Sequence, residues 1–234
     1  MRQIVLDTET TGLEVEAGHR IIEIGCIELK NRRPTQNSFH RYVNPEREVE
    51  HGALAVHGIT NEFLAGKPPF NAVALELWEY IKGAELLIHN ASFDLGFLNK
   101  EFAGAGVAQK VEEVCTVIDT VAMARRLNPG QKASLDALCR RYGVDNSNRD
   151  LHGALLDARL LADVYLAMTG GQSRLTLDED AGANGAGRSR FVELLGLAEG
   201  PLPVVMATEE ELAAHRARLH KLADKGKLIW ASEL

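Results

Sequence analysis

Two carboxylates stand two residues apart, directly after a short apolar run near the start of the chain. The run Ile4-Val5-Leu6 predicts a strand, and Asp7 and Glu9 follow it. Alternate residues of a strand point to the same face, so both carboxylates can aim at one point in space. Like charges this close repel unless something neutralises them, and a divalent cation with oxygen ligands is the usual solution. The pair therefore predicts a cation site, with two solvated acids at a strand end as the alternative.

Two further acids occupy positions that a protein of strands and helices would place near such an edge. Asp94 lies near the start of a predicted helix, where the helix dipole stabilises a negative charge. Asp157 lies among apolar residues of another predicted helix, and its burial is costly unless it is paired or bound to a metal. His152 precedes Asp157 by five residues, about 140° of helix rotation. We therefore expect His152 at or before the helix start, and its significance depends on the acids beside it.

The elements that hold these side chains follow from hydrophobic periodicity. Strands are predicted at 2–7, 20–29, 37–43 and 85–89, with a hairpin turn at 31–34. Helices are predicted at 70–82, 93–103, 118–127, 134–142 (with Ser134 as the N-cap) and 153–168. Three successive strands followed by alternating helices and strands indicate an α/β fold, in which a mixed sheet is flanked by helices.

Composition divides the chain into three parts. Residues 1–170 carry the predicted sheet and helices, and residues 171–190 are rich in Gly, Ala, Asp and Ser, which indicates a flexible linker. In the remaining segment, 191–234, Thr208 and Glu211 predict a capping box at the start of an amphipathic helix. We interpret this small helical tail as a partner-docking segment, with packing onto the first part as the alternative.

Composition and charge limit the possible functions. The 234 residues are 45% hydrophobic, which suits a globular protein with a substantial core. The three cysteines lack metal-ligand spacing, which favours a reducing compartment, and neither a signal peptide nor an apolar span of about 18 residues is recognisable, so we expect a cytoplasmic protein. The net charge of −7 argues against strong nucleic-acid binding through basic residues alone, so cations or a partner protein would have to contribute affinity.

Taken together, the acids and the histidine resemble the three motifs of the DEDD family of 3′→5′ exonucleases. The motifs are Asp7-x-Glu9, Asn90…Phe93-Asp94 and His152-x4-Asp157, in this order and on the expected elements. The histidine five residues before the last acid places the resemblance in the histidine subgroup. The resemblance implies the ribonuclease H-like exonuclease fold and metal-dependent removal of nucleotides from a DNA 3′ end.

Within this family, several stretches look like the proofreading subunits of bacterial replicative polymerases. The similarity is close over residues 2–171 and looser in the tail, and it is carried by the stretches 3–12, 21–25, 56–59, 134–139 and 151–158. It implies mispaired 3′-terminal nucleotides as the substrate. An exoribonuclease of the same family remains an alternative, although such chains normally end soon after the last motif. A non-catalytic tether between polymerase and clamp is a second alternative, which the retention of all five active-site residues disfavours.

The resemblance also implies a role for each motif residue. Two Mg²⁺ or Mn²⁺ ions about 3.5–4 Å apart would drive phosphodiester hydrolysis. Asp7 would bridge both ions, Glu9 and Asp157 would bind the ion on the nucleophile side, and Asp94 would help to hold the second. His152 would act as the general base, because an ordinary imidazole can accept a proton near neutral pH.

A pocket for the terminal nucleotide is implied around these acids. His57, in Val56-His57-Gly58-Ile59, looks like the family's contact to that nucleotide. The other residues expected to contact substrate are Thr10, Leu13, Asn90 and Phe93, beside Asp7, Glu9 and Asp157. Leu13 or Phe93 could wedge or stack against bases. The chain departs from the pattern of the family it resembles, whose close members tend to carry an acid shortly before the His-Gly-Ile; here Gly52 and its neighbours offer Glu50 instead.

The resemblance implies several protein partners. The segment 191–234 would hold the polymerase alpha subunit, and a small theta-type subunit could bind residues 1–170. Gln172 followed by the spaced apolar residues Leu175 and Leu177 resembles the short peptide that docks into the bacterial sliding clamp (beta).

Overall fold

The structure is a computed structural model, which describes residues 2–149, 151–170 and 206–223. The chain divides into two units, Met1–Ser173 and Arg174–Leu234. No helix among the described residues has the length and apolar character needed to cross a membrane.

A mixed five-stranded sheet, with strand order β3-β2-β1-β4-β5, is the centre of the first unit. The strands are β1 (Arg2–Thr10), β2 (Ile21–Lys30), β3 (Arg33–Tyr42), β4 (Glu85–Ile88) and β5 (Thr116–Asp119). The first three strands pair antiparallel, whereas β4 runs parallel to both β1 and β5. The carboxyl ends of β1, β4 and β5 therefore meet at one edge of the sheet, the edge at which open α/β sheets bind ligands.

Helices cover both faces of this sheet, as the sequence predicts. They are α1 (His51–His57), α2 (Asn61–Ala65), α3 (Phe70–Ile81), α4 (Ala91–Gly104), α5 (Val111–Val114), α6 (Thr120–Leu127), α7 (Leu135–Tyr142) and α8 (Ala154–Thr169). Ile4 and Leu6 belong to the core that contains residues of α3 and α4, and Val5 belongs to the core that contains residues of α7 and α8. Because side chains alternate along a strand, Asp7 and Glu9 share the face of Val5, which is the face that α8 covers.

Several predicted boundaries differ from the structure. β1 continues to Thr10, so that Glu9 lies within the strand, and β3 begins at Arg33, which shortens the predicted turn to Asn31 and Arg32. The predicted helix at 118–127 is wrong at its start, because residues 116–119 form β5 and Asp119 caps α6 by accepting two backbone N–H groups.

Other differences concern the helices near the site. Helix α4 begins at Ala91, two residues earlier than predicted, and α8 begins at Ala154. His152 therefore lies just before its helix, as expected from the five-residue spacing. Ser134 is the N-cap residue of α7, as predicted, but its side chain makes no capping hydrogen bond. The sequence does not predict helices α1, α2 and α5.

The described part of the second unit contains helix α9 (Glu209–Ala223). Its predicted capping box is confirmed, because the Glu211 N–H donates to Thr208 Oγ1 at 3.3 Å and the Thr208 N–H donates to Glu211 Oε2 at 2.8 Å. The predicted linker at 171–190 lies outside the described residues, as do Gln172, Leu175 and Leu177, so the three-part division of the chain stays a prediction.

Candidate active site

A cavity of about 290 Å³ opens at the carboxyl edge of the sheet, where β1 and β4 end. All five residues of the three sequence motifs line it, namely Asp7, Glu9, Asp94, His152 and Asp157. They come from β1, α4 and the start of α8, so three distant segments of the chain build one site. Phe93, which was predicted to contact a base, also lines the cavity.

Strand β1 presents Asp7 and Glu9 on one face, opposite Gly25 and Glu23 of β2. Burial raises the pKa of the Asp7 carboxyl well above its usual range, and the nearby acids Asp94, Glu9 and Asp157 raise it further. Burial, Asp157 and Glu23 raise the pKa of Glu9 to about 8. Both shifts indicate a cluster with more negative charge than its surroundings neutralise, which is the electrostatic condition for a cation site.

Helix α4 brings Asp94 to the same point from its first turn. Thr8 Oγ1 donates a hydrogen bond of 2.7 Å to Asp94 Oδ1, which fixes the carboxylate against the end of β1. Burial raises the pKa of Asp94 to about 7, although the bond from Thr8 opposes the shift. The helix can begin this close to β4 because Asn90 takes a left-handed conformation with φ 69°, which asparagine tolerates better than most residues.

The position of α8 depends on two residues of β2. A side chain at Gly25 would collide with the α8 backbone at Ala154 and Leu155, so the missing Cβ lets the helix approach the sheet. Glu23 Oε2 accepts the backbone N–H of Ala154 at 3.1 Å, and its other oxygen lies 2.7 Å from His40 Nε2. This anchoring sets the first turn of α8, and therefore Asp157, against the acids of β1.

Asp157 is held by Arg149, a residue that the sequence analysis did not single out. Arg149 Nε donates to Asp157 Oδ1 at 2.5 Å and Nη2 donates to Oδ2 at 2.6 Å, which forms a bidentate pair. Arg149 also donates to Asp136 Oδ1 at 2.7 Å and contacts His152 Nδ1 at 3.0 Å. The feature of the sequence that could have pointed to Arg149 is its position three residues before His152. The segment around it has no hydrophobic periodicity.

His152 lies at the mouth of the cavity with a half-exposed side chain. Its backbone N–H donates to the carbonyl of Val56 at 3.1 Å, which ties the segment before α8 to α1. One ligand atom each from Glu9, His152 and Asp157 lies within 4.8 Å of the others, a spacing at which the three could hold a metal ion.

His57, the predicted contact to the terminal nucleotide, is the last residue of α1 and is buried. Its Nδ1 accepts the backbone N–H of Ile59 at 3.0 Å, so the neutral ring carries its proton on Nε2. Nε2 is buried and has no hydrogen-bond partner among the described residues. Burial lowers the pKa of His57, which favours this neutral form.

Neither His57 nor the remaining predicted substrate residues line the cavity. Thr10 is buried and donates its hydroxyl to the carbonyl of Gly12 at 2.7 Å, Leu13 is 79% exposed, and Asn90 is an exposed helix-cap residue. Glu50 stands before α1 with Oε1 3.1 Å from His19 Nε2. In this structure Glu50 therefore contacts the buried His19.

Comparisons with known proteins identify the family of the chain. A sequence model of the exonuclease family matches residues 4–165. DNA polymerase III subunit epsilon of Escherichia coli (strain K12) is 50% identical over 98% of this chain and 97% of that protein. The subunit of the same name from Rickettsia felis is 44% identical over 95% of this chain and 97% of that protein.

Solved structures show the same fold. Exonuclease X in complex with 5′ overhanging duplex DNA matches with a TM-score of 0.58 and 28% identity, over 72% of this chain and 91% of that one. A zinc-bound complex of E. coli exonuclease I with single-stranded DNA matches with a TM-score of 0.63 and 18% identity, over 74% of this chain and 41% of that one, which supports the fold alone. The predicted fold class and exonuclease function are confirmed. The chain belongs to the exonuclease family and, within it, to the DNA polymerase III epsilon subunits.

Proposed function

We propose that this chain is the 3′→5′ proofreading exonuclease of a bacterial replicative DNA polymerase and that it hydrolyses mispaired 3′-terminal nucleotides in the described cavity. One observation carries the proposal. A single cavity contains Asp7, Glu9, Asp94, His152 and Asp157 in a chain whose relatives at about half identity are polymerase III epsilon subunits.

The donor set of the cavity fits hard divalent cations such as Mg²⁺ or Mn²⁺. Its candidate ligands are carboxylate oxygens with one imidazole at the rim, and repulsion from neighbouring acids adds to the effect of burial in raising the pKa values of Asp7 and Glu9. We assign Asp7, Glu9 and Asp157 as the main metal ligands, with Asp94 as the fourth acid of a two-ion site. When bound, such ions neutralise the phosphate, activate a water molecule and stabilise the leaving group.

The chain's own residues supply the remaining chemistry. His152 is exposed at the mouth of the cavity, where an attacking water can reach it, and we assign it as the general base that accepts the proton of this water. Glu23 and Gly25 keep the first turn of α8 against β1, and Thr8 keeps Asp94 oriented. These contacts support the geometry without touching the substrate.

The terminal nucleotide would be held by His57 and Phe93. His57 does not line the cavity, but its buried Nε2 N–H has no hydrogen-bond partner among the described residues, and a hydrogen bond to a substrate oxygen would satisfy it. Phe93 lines the cavity with an aromatic surface on which a base can stack. A mispaired end is easier to unpair, so it enters such a single-strand site at a lower free-energy cost than a paired end.

The partners follow from the same assignment. We propose that residues 191–234 bind the polymerase alpha subunit, that Gln172, Leu175 and Leu177 bind the sliding clamp, and that a theta-type subunit is a further candidate partner. An assembly of this kind on the chromosome would place the chain in the cytoplasm. Replacement of both Gln172 and Leu175 by alanine is expected to remove clamp binding and to leave alpha binding intact.

The function is tested with the purified chain, Mg²⁺ and a primer–template whose primer ends in a 3′ mispair. A matched primer, a single-stranded RNA and the Asp7→Ala variant are the comparisons. We expect metal-dependent release of nucleotides from the mispaired end, faster than from the matched end and absent in Asp7→Ala. Preference for the RNA would instead support an exoribonuclease, and absence of activity on every substrate would favour the non-catalytic tether.

A further inference from the structure

We propose that Arg149 substitutes for the divalent cation in the metal-free site and is displaced from Asp157 when the cation binds. The proposal rests on the proposed metal site. It adds to that site a residue of the chain that competes with the metal.

The contacts of Arg149 show how strongly this residue engages the site. Its side chain is 7% exposed, and its guanidinium contacts Asp157, Asp136 and His152 with all three nitrogens. The fork uses both oxygens of Asp157, the strong bidentate arrangement of arginine with a carboxylate. A guanidinium this buried is stable only while such partners remain.

Charge explains why an arginine is held there. Arg149 is the lone Lys or Arg among the described residues that line the cavity, whereas Asp7, Glu9, Asp94, Asp136 and Asp157 all line it. In the absence of a metal ion, Arg149 is therefore the nearest positive charge to these acids. Its opposing effect on the pKa values of Asp7 and Glu9 agrees with this role.

Competition follows from the shared carboxylate. Asp157 also belongs to the group of Glu9, His152 and Asp157, whose ligand atoms lie within 4.8 Å of one another and could hold a cation. A divalent ion at that point would face the guanidinium across the same two oxygens, and the two positive charges would repel. Arg149 therefore gives up both of its bonds to Asp157 when the ion enters.

The bond to His152 extends the consequence to the general base. A guanidinium has donors and no acceptor, so the 3.0 Å contact requires His152 Nδ1 to accept the hydrogen bond. The neutral ring then carries its proton on Nε2, and neither nitrogen offers a free lone pair. Departure of Arg149 would therefore release His152 at the same time as it releases Asp157.

The test is Mn²⁺ affinity, measured by calorimetry on the full chain without substrate. Two variants change the residue itself: Arg149→Met removes both the positive charge and the bidentate hydrogen bonds, whereas Arg149→Lys keeps the charge and loses the bidentate geometry. The control is Arg159→Met, which removes an exposed positive charge from α8. We expect Arg149→Met to bind Mn²⁺ about tenfold or more tightly than the wild type, because one charge-assisted pair no longer has to break. Arg149→Lys should lie between the two, and Arg159→Met should match the wild type.

Thermal melting provides an independent readout. In EDTA, Arg149→Met should melt at a lower temperature than Arg159→Met, and saturating Mn²⁺ should close most of this gap. Affinity that is unchanged or weaker in Arg149→Met would overturn the proposal and make Arg149 a residue that only positions Asp157. Equal Mn²⁺ affinity of Arg149→Lys and the wild type would also overturn the proposal. Repulsion between the ion and a positive side chain would then explain the affinities without any displacement of the guanidinium.

Failure of this inference is distinguishable from failure of the proposed function. If the wild type binds Mn²⁺ and degrades the mispaired primer while the Arg149 variants show no gain in affinity, the exonuclease assignment stands and the displacement is wrong. If the wild type neither binds Mn²⁺ nor degrades DNA, the metal site itself is wrong, and the displacement fails with it. Should Arg149→Met not fold, the comparison of Arg149→Lys with Arg159→Met still decides the question.

Discussion

At the scale of single residues, the carboxyl groups of the candidate active site are buried from water, and little positive charge compensates them. Burial and repulsion by Asp157 and Glu23 raise the pKa of Glu9 to about 8, and burial raises that of Asp94 to about 7. A carboxyl group that is easier to protonate in the folded chain than in the unfolded one binds more protons in the folded state. Its ionisation therefore costs folding free energy unless a cation compensates.

This argument predicts how the stability of the metal-free chain depends on pH. Because the folded pKa of Glu9 is raised, its stabilising contribution is complete below the unfolded value and is lost as pH rises through about 8. In EDTA, the melting temperature should fall between about pH 5 and pH 8, and Mg²⁺ should reduce the fall because it binds the ionised acids. Glu9→Gln should flatten the EDTA curve, and a melting temperature that rises over this range in EDTA would contradict the argument.

His152 provides a second prediction at this scale. Replacement by alanine should lower the turnover of single-stranded DNA by about 10²- to 10⁴-fold, the usual contribution of a general base. Mn²⁺ affinity should be retained, because the carboxylates remain. The measurements are single-turnover hydrolysis and calorimetry with Asp7→Ala as the metal-binding control. Undiminished turnover would refute the assignment as a base, and a large loss of Mn²⁺ affinity would make His152 a metal ligand.

The five motif residues could be predicted from the sequence because their spacing is tied to strand and helix starts. Asp7 and Glu9 had to share a face of a strand, and His152 had to precede its helix. Arg149 could not be predicted, since it reaches Asp157 from a segment without periodicity and its role depends on contacts made in three dimensions. That Thr10 and Leu13 lie outside the cavity could not be predicted from the sequence for the same reason.

At the scale of elements, the site depends on how closely α8 approaches β2. Gly25 lies directly opposite Asp7 in the sheet, and a Cβ at this position would meet the backbone of Ala154 and Leu155. Backbone atoms of a helix start cannot yield as a flexible side chain does. A small change in β2 should therefore move Asp157 away from the acids of β1.

Gly25→Ala tests this dependence. The methyl group should displace the first turn of α8, lower exonuclease activity by about 10²-fold and reduce stability by about 1–3 kcal/mol through overpacking. The matched control is Gly52→Ala, because a Cβ at Gly52, within α1, would have nothing within 4 Å. We expect the control to retain activity and to gain slightly in stability, since alanine favours a helix. Equal activity of the two variants would show that the approach of α8 is not critical.

The elements themselves were predictable to different degrees. Strong periodicity identified β1, β2, α3 and α8, all of which bury a continuous apolar face. Helix α1 has no such face, because most of its residues are exposed and Gly52 occupies its second position. Strand β5 has four residues and runs directly into α6, so its apolar residues merge with the helical pattern that follows.

At the scale of the whole molecule, the negative net charge influences how the chain binds DNA. The net charge is −7, because 33 acidic side chains outnumber 26 Lys and Arg, so the chain as a whole does not attract a phosphate backbone. Affinity for DNA must therefore come mainly from the site itself and from the proposed polymerase assembly. This agrees with a subunit that receives its substrate from a partner.

The prediction at this scale concerns salt. For the isolated chain, the logarithm of the apparent affinity for single-stranded DNA should fall with the logarithm of salt concentration at a slope of about −2 or shallower, because few phosphates are neutralised by Lys or Arg. Binding titrations with KCl at fixed Mg²⁺ measure this slope, and the complex with the alpha subunit should give a steeper one. A steep slope for the isolated chain would reveal a basic binding track on the chain itself.

The proposed metal ligands span the chain from Asp7 to Asp157, and α8 is the last helix that the structure describes in its unit. During synthesis, the strand that carries the first two acids leaves the ribosome long before the helix that carries the last. A nascent chain therefore contains no complete nuclease, and hydrolysis becomes possible only once α8 has docked beside Gly25. Local opening of α8 in the folded protein would again separate Asp157 from the acids of β1. Nuclease activity should therefore be lost reversibly before the rest of the fold melts.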